Sequence, residues 1–267
     1  MSLIYLLLIA VVQGVTEFLP ISSSGHLVLL PQLVGAADQG LTIDVASHVG
    51  SLFAVILYFW TEVKVAAFGC LRLARGKVDT QGAFLALCLL LSTVPVVIAG
   101  LLLHLTGIDE ALRSVAVIGW ATLGFGLLLY WADQTGTSER TSDRWTIRHA
   151  VFMGAAQVLA LIPGTSRSGI TITAARRLGY DREDAARLSM LMSIPAIFAS
   201  GMVLGVEVSY NANLAMARDA VIASLFSFVA ALLALTLMMR LLKSVSFTPY
   251  VIYRVGLGLI LLIYAYS

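Results

Sequence analysis

The sequence predicts an all-α integral membrane protein: six full transmembrane helices plus two re-entrant helix-loop-helix hairpins in an inverted-topology repeat. Three observations predict it. Apolar residues make up 59% of the 267-residue chain and charged residues 12%, with mean hydropathy +0.93, far from the quarter-charged norm of soluble domains. Six apolar runs each approach the ~20 residues that a helix needs to cross a bilayer. Two further segments, residues 3 to 35 and 150 to 179, are apolar but broken midway by Pro, Gly and serine clusters.

In chain order the full spans run from Leu41 to Trp60, Ala83 to Leu105, Ser114 to Trp131, Leu188 to Val206, Ala220 to Leu242 and Tyr250 to Tyr266. The whole chain is one membrane domain, residues 1–267, with one repeat at about 1–133 and the other at about 150–267. The N-terminus lacks the basic flank of a signal peptide, so its first segment is expected to stay in the mature protein. The net charge of +2 rests on short basic loops, which disfavours a nucleic-acid partner. Cys70 and Cys88 are isolated, which argues against both a disulfide and a metal site.

Loop charge decides whether the broken segments cross or return. Lys64, Arg72, Arg75 and Lys77 place the loop after the first span in the cytoplasm, and Arg140, Arg144 and Arg148 do the same for a later one. If residues 150 to 179 crossed, Arg176, Arg177, Arg182 and Arg187 would be external; if they return, all four stay inside. Returning, with external turns near Asp109 and Asn211, puts thirteen Lys/Arg inside and two outside, setting aside Arg167 and Arg254 within segments. The first broken segment is then a hairpin from the outer face, and both termini are periplasmic. Each half holds one hairpin and three spans, in opposite orientations. The run from Gly14 through Glu17, Pro20 and Ser22 to Gly25 echoes that from Gly154 through Gln157, Pro163 and Ser166 to Gly169.

Non-helical backbone at membrane depth must be buried in protein or line a wet cavity, so both tips are expected to meet inside. Pro20 and Pro163 stop the descending half-helices, and the Ser or Thr residues after them are good N-caps for the returning ones. Two helix N-termini aimed at one spot suit a phosphate, and Arg167 adds a planar cation. Gln13 and Glu17, at i and i+4, share a helix face. Beside a phosphate, that carboxylate is useful with a divalent cation held by Gln13 and Glu17, or hydrogen-bonded to His26. Ser22, Ser23 and Ser24 are candidate nucleophiles next to His26 as base.

The segments "QGVTEFLPISSSGH", "PGTSRSGIT" and "SFTPYVIYR" (Ser246 to Arg254) are similar to the signatures of the bacterial undecaprenyl-pyrophosphate phosphatases of the bacitracin-resistance type. Motif order, length and span spacing extend the resemblance over nearly the whole chain. It implies an inner-membrane enzyme that hydrolyses a C55 lipid pyrophosphate to the monophosphate with a divalent cation, Mg2+ or Ca2+, recycling the cell-wall carrier lipid. It also implies that Glu17, His26 and Arg167 are needed and that Ser23 is the nucleophile. Gln13 stands where the family usually has an acid or an amide.

Ser22, Ser24, Gly25, Gly164, Thr165, Ser166, Ser168 and Thr171 are the expected phosphate-binding set, while Asp44 and His48, at i and i+4, are expected behind the reacting groups. Lipid pyrophosphate and membrane lipids are the expected partners, and a homodimer is compatible with the sequence. A secondary transporter or flippase for an anionic substrate, built on the same repeat, is the main alternative; it explains Arg167 but does not require Ser, His and Glu on one hairpin. An intramembrane serine protease explains Arg167 least.

Overall fold

The computed structural model describes residues 2–35, 40–107, 112–209 and 214–267. Among these, the chain is all helical, with no strand and a single isolated bridge between Arg140 and Tyr180. Eleven α-helices follow one another among the described residues. The expected turns near Asp109 and Asn211 lie outside the described residues.

The first broken segment forms α1 (Leu3–Phe18) and α2 (Ser23–Val34). At 1.5 Å per residue these are roughly 24 and 18 Å long, short of the ~30 Å hydrocarbon core. Leu19 leaves the helix with φ −67° and ψ 142° because the following Pro20 excludes helical backbone before it. A span, α3 (Leu41–Tyr58), stops at Phe59 (φ −100°, ψ 33°), and α4 (Trp60–Leu73) starts there.

The loop expected after Trp60 is thus helical over most of its length. Small residues explain it. Ala66 and Gly69 let α4 lie against α5 (Gln81–Thr106), where a Cβ on Gly69 would meet the Gly82 carbonyl at 2.1 Å. In the last turn of α4, Arg72 pairs with Asp79 of the loop that follows and holds its exposed carboxyl below the usual range. The span α6 (Val115–Thr135) completes the first half.

The second broken segment forms α7 (Ile147–Gln157), a 3-10 turn at Val158–Leu161, and α8 (Arg167–Arg177). Ile162, extended at φ −80° and ψ 116°, precedes Pro163 as Leu19 precedes Pro20. Three long helices close the chain: α9 (Arg182–Ser209), α10 (Leu214–Leu241) and α11 (Thr248–Tyr266). Six helices, α3, α5, α6, α9, α10 and α11, are long and apolar enough to cross a membrane, with the last turns of α9 and the start of α10 outside the counted windows. The chain is a multi-pass membrane protein.

Of the short helices α8 is almost wholly buried, while α1 and α7 pack one face against long helices. α1 packs against α10 and α3, α7 against α5, and α8 against α9 and α6. Both descending helices use a glycine for a close crossing: a Cβ on Gly14 would lie 2.5 Å from the Ser227 carbonyl, and one on Gly154 would lie 2.4 Å from that of Ser92. At one end of the bundle Asp133, 2% exposed, pairs with Arg176 at 3.2 Å and Arg182 at 2.8 Å and accepts the Phe247 N–H. That carboxylate ties α6, α8, α9 and α11 together. In the loop beside it, burial pushes the Tyr180 hydroxyl up to about 12, so it stays protonated and donates to the Arg144 carbonyl at 3.2 Å.

Candidate active site

Each hairpin tip is built the same way. Ser22 and Ser166, the two non-glycine residues with positive φ among those described, have φ 76° and 70°. In each, the side-chain oxygen caps the returning helix by accepting the N–H of the residue three on, Gly25 at 3.3 Å and Gly169 at 3.1 Å. Each also meets the second hydroxyl beyond it, Ser24 at 3.3 Å and Ser168 at 3.1 Å. The tips touch: a Cβ on Gly25 would lie 3.7 Å from the Gly164 Cα, and the Ser168 hydroxyl donates to the Leu19 carbonyl at 3.0 Å.

Across that junction lies a chain of polar contacts. Ser23 donates to Glu17 Oε2 at 2.8 Å, and Gln13 Nε2 donates to the same oxygen at 2.8 Å. Arg167 Nη2 bonds Glu17 Oε1 at 2.9 Å from the opposite hairpin. The Glu17 side chain is 6% exposed and that of Arg167 15%. Desolvating such a pair offsets much of its attraction, so it is poor evidence of a stabilising role and stronger evidence of a functional one. His48 Nε2 approaches Glu17 Oε2 to 3.7 Å, while its Nδ1 donates to the backbone carbonyl of Asp44 at 2.8 Å. His48, Asp44, Ser24 and Arg113 border a cavity of about 690 Å³. Neither Glu17 nor Ser23 lines this cavity; it meets the acid through His48 and the hydroxyl through the neighbouring Ser24, and it is large enough for a phosphorylated headgroup.

Of the two companions considered for Glu17, His26 does not fill the role. Its Nδ1 donates to the Ser22 carbonyl at 2.6 Å and its Nε2 meets the Tyr253 hydroxyl at 2.6 Å. The hydroxyl of Ser23 is bonded to Glu17 instead. Several expected phosphate ligands use their hydroxyls within the protein: Thr171 on Ser189 at 2.6 Å and on the Arg167 carbonyl at 2.8 Å, Ser168 on Leu19. Thr165 Oγ1 is buried without a partner in the described structure.

Arg254 is the residue that sequence reasoning passed over. It is fully buried and donates to four backbone carbonyls: Thr122 at 3.1 Å, Pro20 at 3.2 Å, Gly164 at 3.1 Å and Thr165 at 2.9 Å. One guanidinium thus clamps both tips to α6. Gly169 makes room for it, since a Cβ there would lie 2.7 Å from Arg254 Nη1. The signal was available, because an arginine within an apolar run is as unusual at 254 as at 167.

A multi-pass membrane protein that joins a hydroxyl, a carboxylate and a guanidinium across two broken-helix tips belongs to the class with a buried site for an anionic group. The chain is a member of the family described as bacitracin resistance protein BacA, whose pattern matches residues 6–260. It is 71% identical over 267 residues to the undecaprenyl-diphosphatase of Roseobacter denitrificans and 68% identical to that of Dinoroseobacter shibae, with full coverage of both chains in each case. It is also 45% identical over 273 residues to undecaprenyl-diphosphatase 1 of Rhodospirillum rubrum, covering 100% of this chain and 96% of the other.

Proposed function

We propose that this protein hydrolyses undecaprenyl pyrophosphate to undecaprenyl phosphate and inorganic phosphate, with Ser23 as nucleophile. The observation that carries the reading is the Ser23–Glu17–Arg167 contact: a hydroxyl bonded to a carboxylate whose other oxygen holds a guanidinium. Ser23 Oγ attacks the terminal phosphorus, its proton passes to Glu17, and the bond to the bridging oxygen breaks to release the lipid monophosphate. Water then cleaves the Ser23 phosphoester, freeing phosphate and the hydroxyl. Arg167 and the N-termini of α2 and α8 stabilise the charge that develops on phosphorus oxygens. The names of the relatives agree with that chemistry.

Gln13 and Glu17 fit a divalent cation. The Gln13 Oε1 is buried and unpartnered, and it lies on the same helix face as the carboxylate. A hard cation takes such oxygens together with those of a phosphate substrate and neutralises pyrophosphate charge. Among the described residues no cluster of three or more His, Cys, Asp or Glu could hold one alone.

In this reading α1–α2 and α7–α8 are re-entrant hairpins from opposite faces of the inner membrane, and the halves form an inverted repeat with both termini periplasmic. The matched serine turns and the matched glycine crossings at Gly14 and Gly154 support it. The transporter reading lacks a use for a serine hydroxyl bonded to a carboxylate. Purified protein incubated with a polyprenyl pyrophosphate should release phosphate; binding without release would favour the transporter. Cysteines introduced at residues 2 and 267 should label from the periplasm, and labelling only from the cytoplasm would overturn the topology.

A further inference from the structure

Ser22 holds its backbone at φ 76° and ψ 96°, a region that side-chain-bearing residues avoid. The direction of the next side chain, Ser23, depends on that turn. Something must hold it. The contacts that do so come from His26, one helical turn on, and from Tyr253 of α11.

We infer that Tyr253 and His26 form a two-ring peg that locks the Ser22 turn and aims the Ser23 hydroxyl at Glu17, which makes His26 a positioning residue and leaves Glu17 as the base. The inference rests on the phosphatase reading and assigns it two further residues' roles. A carbonyl oxygen only accepts, so the His26 nitrogen at 2.6 Å from the Ser22 carbonyl, Nδ1, carries the proton. In the neutral ring the Nε2 lone pair then accepts the Tyr253 hydroxyl, also at 2.6 Å. Neither ring nitrogen is left to take a proton from serine.

Contacts rather than spacing set the direction of the ring: Ser23 and His26 are only about 60° apart around α2, yet Ser23 bonds Glu17 while both His26 nitrogens are taken by Ser22 and Tyr253. His26 faces α11. There its ring lies edge to edge with that of Tyr253, with centroids 5.7 Å apart and planes 8° from parallel, as the hydrogen bond between them requires. The same turn of α11 carries Arg254, which holds Pro20, Gly164 and Thr165 by their carbonyls. Of two consecutive residues of α11, Arg254 therefore grips the first tip directly at Pro20, and Tyr253 reaches Ser22 through His26. Packing and hydrogen bonds of this kind keep a nucleophile within the narrow range over which attack is efficient, where a displacement of ~1 Å costs about 100-fold.

The test uses the full-length protein in detergent or vesicles, with release of phosphate from a polyprenyl pyrophosphate as readout. His26→Ala should lower kcat about 100-fold by freeing the turn. Asn places an amide N–H where Nδ1 sits, so His26→Asn should restore kcat to within about tenfold of the wild type, which a lost base would not allow. Tyr253→Phe should lower kcat about tenfold with KM unchanged, and adding it to His26→Asn should cause no further loss, because its partner is already gone. Thermal melting of each variant identifies any that fail to fold, and Tyr253→Phe decides the matter if His26→Ala does. A folded His26→Asn as inactive as His26→Ala, or a Tyr253→Phe equal to the wild type, would overturn the inference. Absence of phosphate release by the wild type would instead sink the phosphatase reading beneath it.

Discussion

The hairpin of α1 and α2 and that of α7 and α8 share a turn but not a setting. Both turn at a serine of positive φ, cap the next helix with its hydroxyl, and cross a long helix through a glycine. Yet nine of the eleven residues of α8 are buried, whereas in α2 Ser24 and Val34 are exposed and only Gly25, Leu27, Leu29 and Pro31 are buried among the described side chains. α8 is a wall; α2 borders the cavity. The wall keeps most of Arg167 out of solvent, with 15% of its side chain exposed, while Ser23 stands beside a residue that lines the cavity, Ser24.

Spacing separates them further. From the crossing glycine to the turn serine there are eight residues in the first hairpin (14 to 22) and twelve in the second (154 to 166). The four extra residues are about one helical turn, and the 3-10 segment Val158–Leu161 falls within them. Counted back five from the turn serine, the first hairpin has Glu17 and the second Leu161. One backbone plan thus carries an acid on one side and an apolar residue on the other. The difference teaches that the tips supply the same shape twice but different chemistry, a hydroxyl and an acid from the first and a cation from the second.

The sharpest way to break this comparison is at the hydroxyl that only the first hairpin uses. Ser23→Ala should lose ~10⁴-fold or more in kcat while still binding lipid, as loss of an essential nucleophile does. Acid quenching of a single turnover with labelled substrate should trap phosphate on the wild type and none on the variant. Substantial steady turnover by Ser23→Ala would make the serine a mere cap. The second hairpin is tested through its cation. Arg167→Ala should lower kcat by ~10²–10³, about 3–4 kcal/mol of transition-state stabilisation. Arg167→Lys should recover little of it, since a point charge lacks the fork that grips carboxylate and phosphate together.

A smaller effect is expected where the tips are clamped alike. Arg254→Met leaves several buried carbonyls without donors, at ~1–3 kcal/mol for each that finds no water. Its melting temperature in detergent should drop clearly, and an unchanged one would show that the tips hold without the clamp. The smallest effect is the most diagnostic of shared backbone. Ser22→Ala and Ser166→Ala should each cost about 1 kcal/mol in stability through loss of the cap, and by similar amounts. A large difference between them would mean that the two turns only look alike.

Much of this was legible in the sequence because it follows from local rules. Apolar runs of the right length marked the six spans, prolines marked where the half-helices stop, and a serine two residues past Pro20 or three past Pro163 marked where the next begins. That the two tips meet followed from a single requirement, that broken polar backbone within apolar segments needs company, but the direct pair of Glu17 with Arg167 did not, since the sequence offered Glu17 only His26 or a divalent cation. Helix α4 was missed because its helicity depends on Gly69 meeting Gly82 on another helix, a contact that no local pattern encodes.

What only the tertiary structure decided is direction. His26 follows Ser23 by three residues, and nothing in that spacing says whether its ring turns to Glu17 or to a tyrosine 227 residues away. Arg254 reads in the sequence as one cation in an apolar run, and its role appears only when four carbonyls from three segments surround it. Hydrophobic length and backbone propensity are properties of neighbouring residues, so the spans and the proline breaks could be read locally, whereas α4 could not. A hydrogen bond needs a donor and an acceptor within about 3 Å, and packing of distant helices alone sets which pairs come that close.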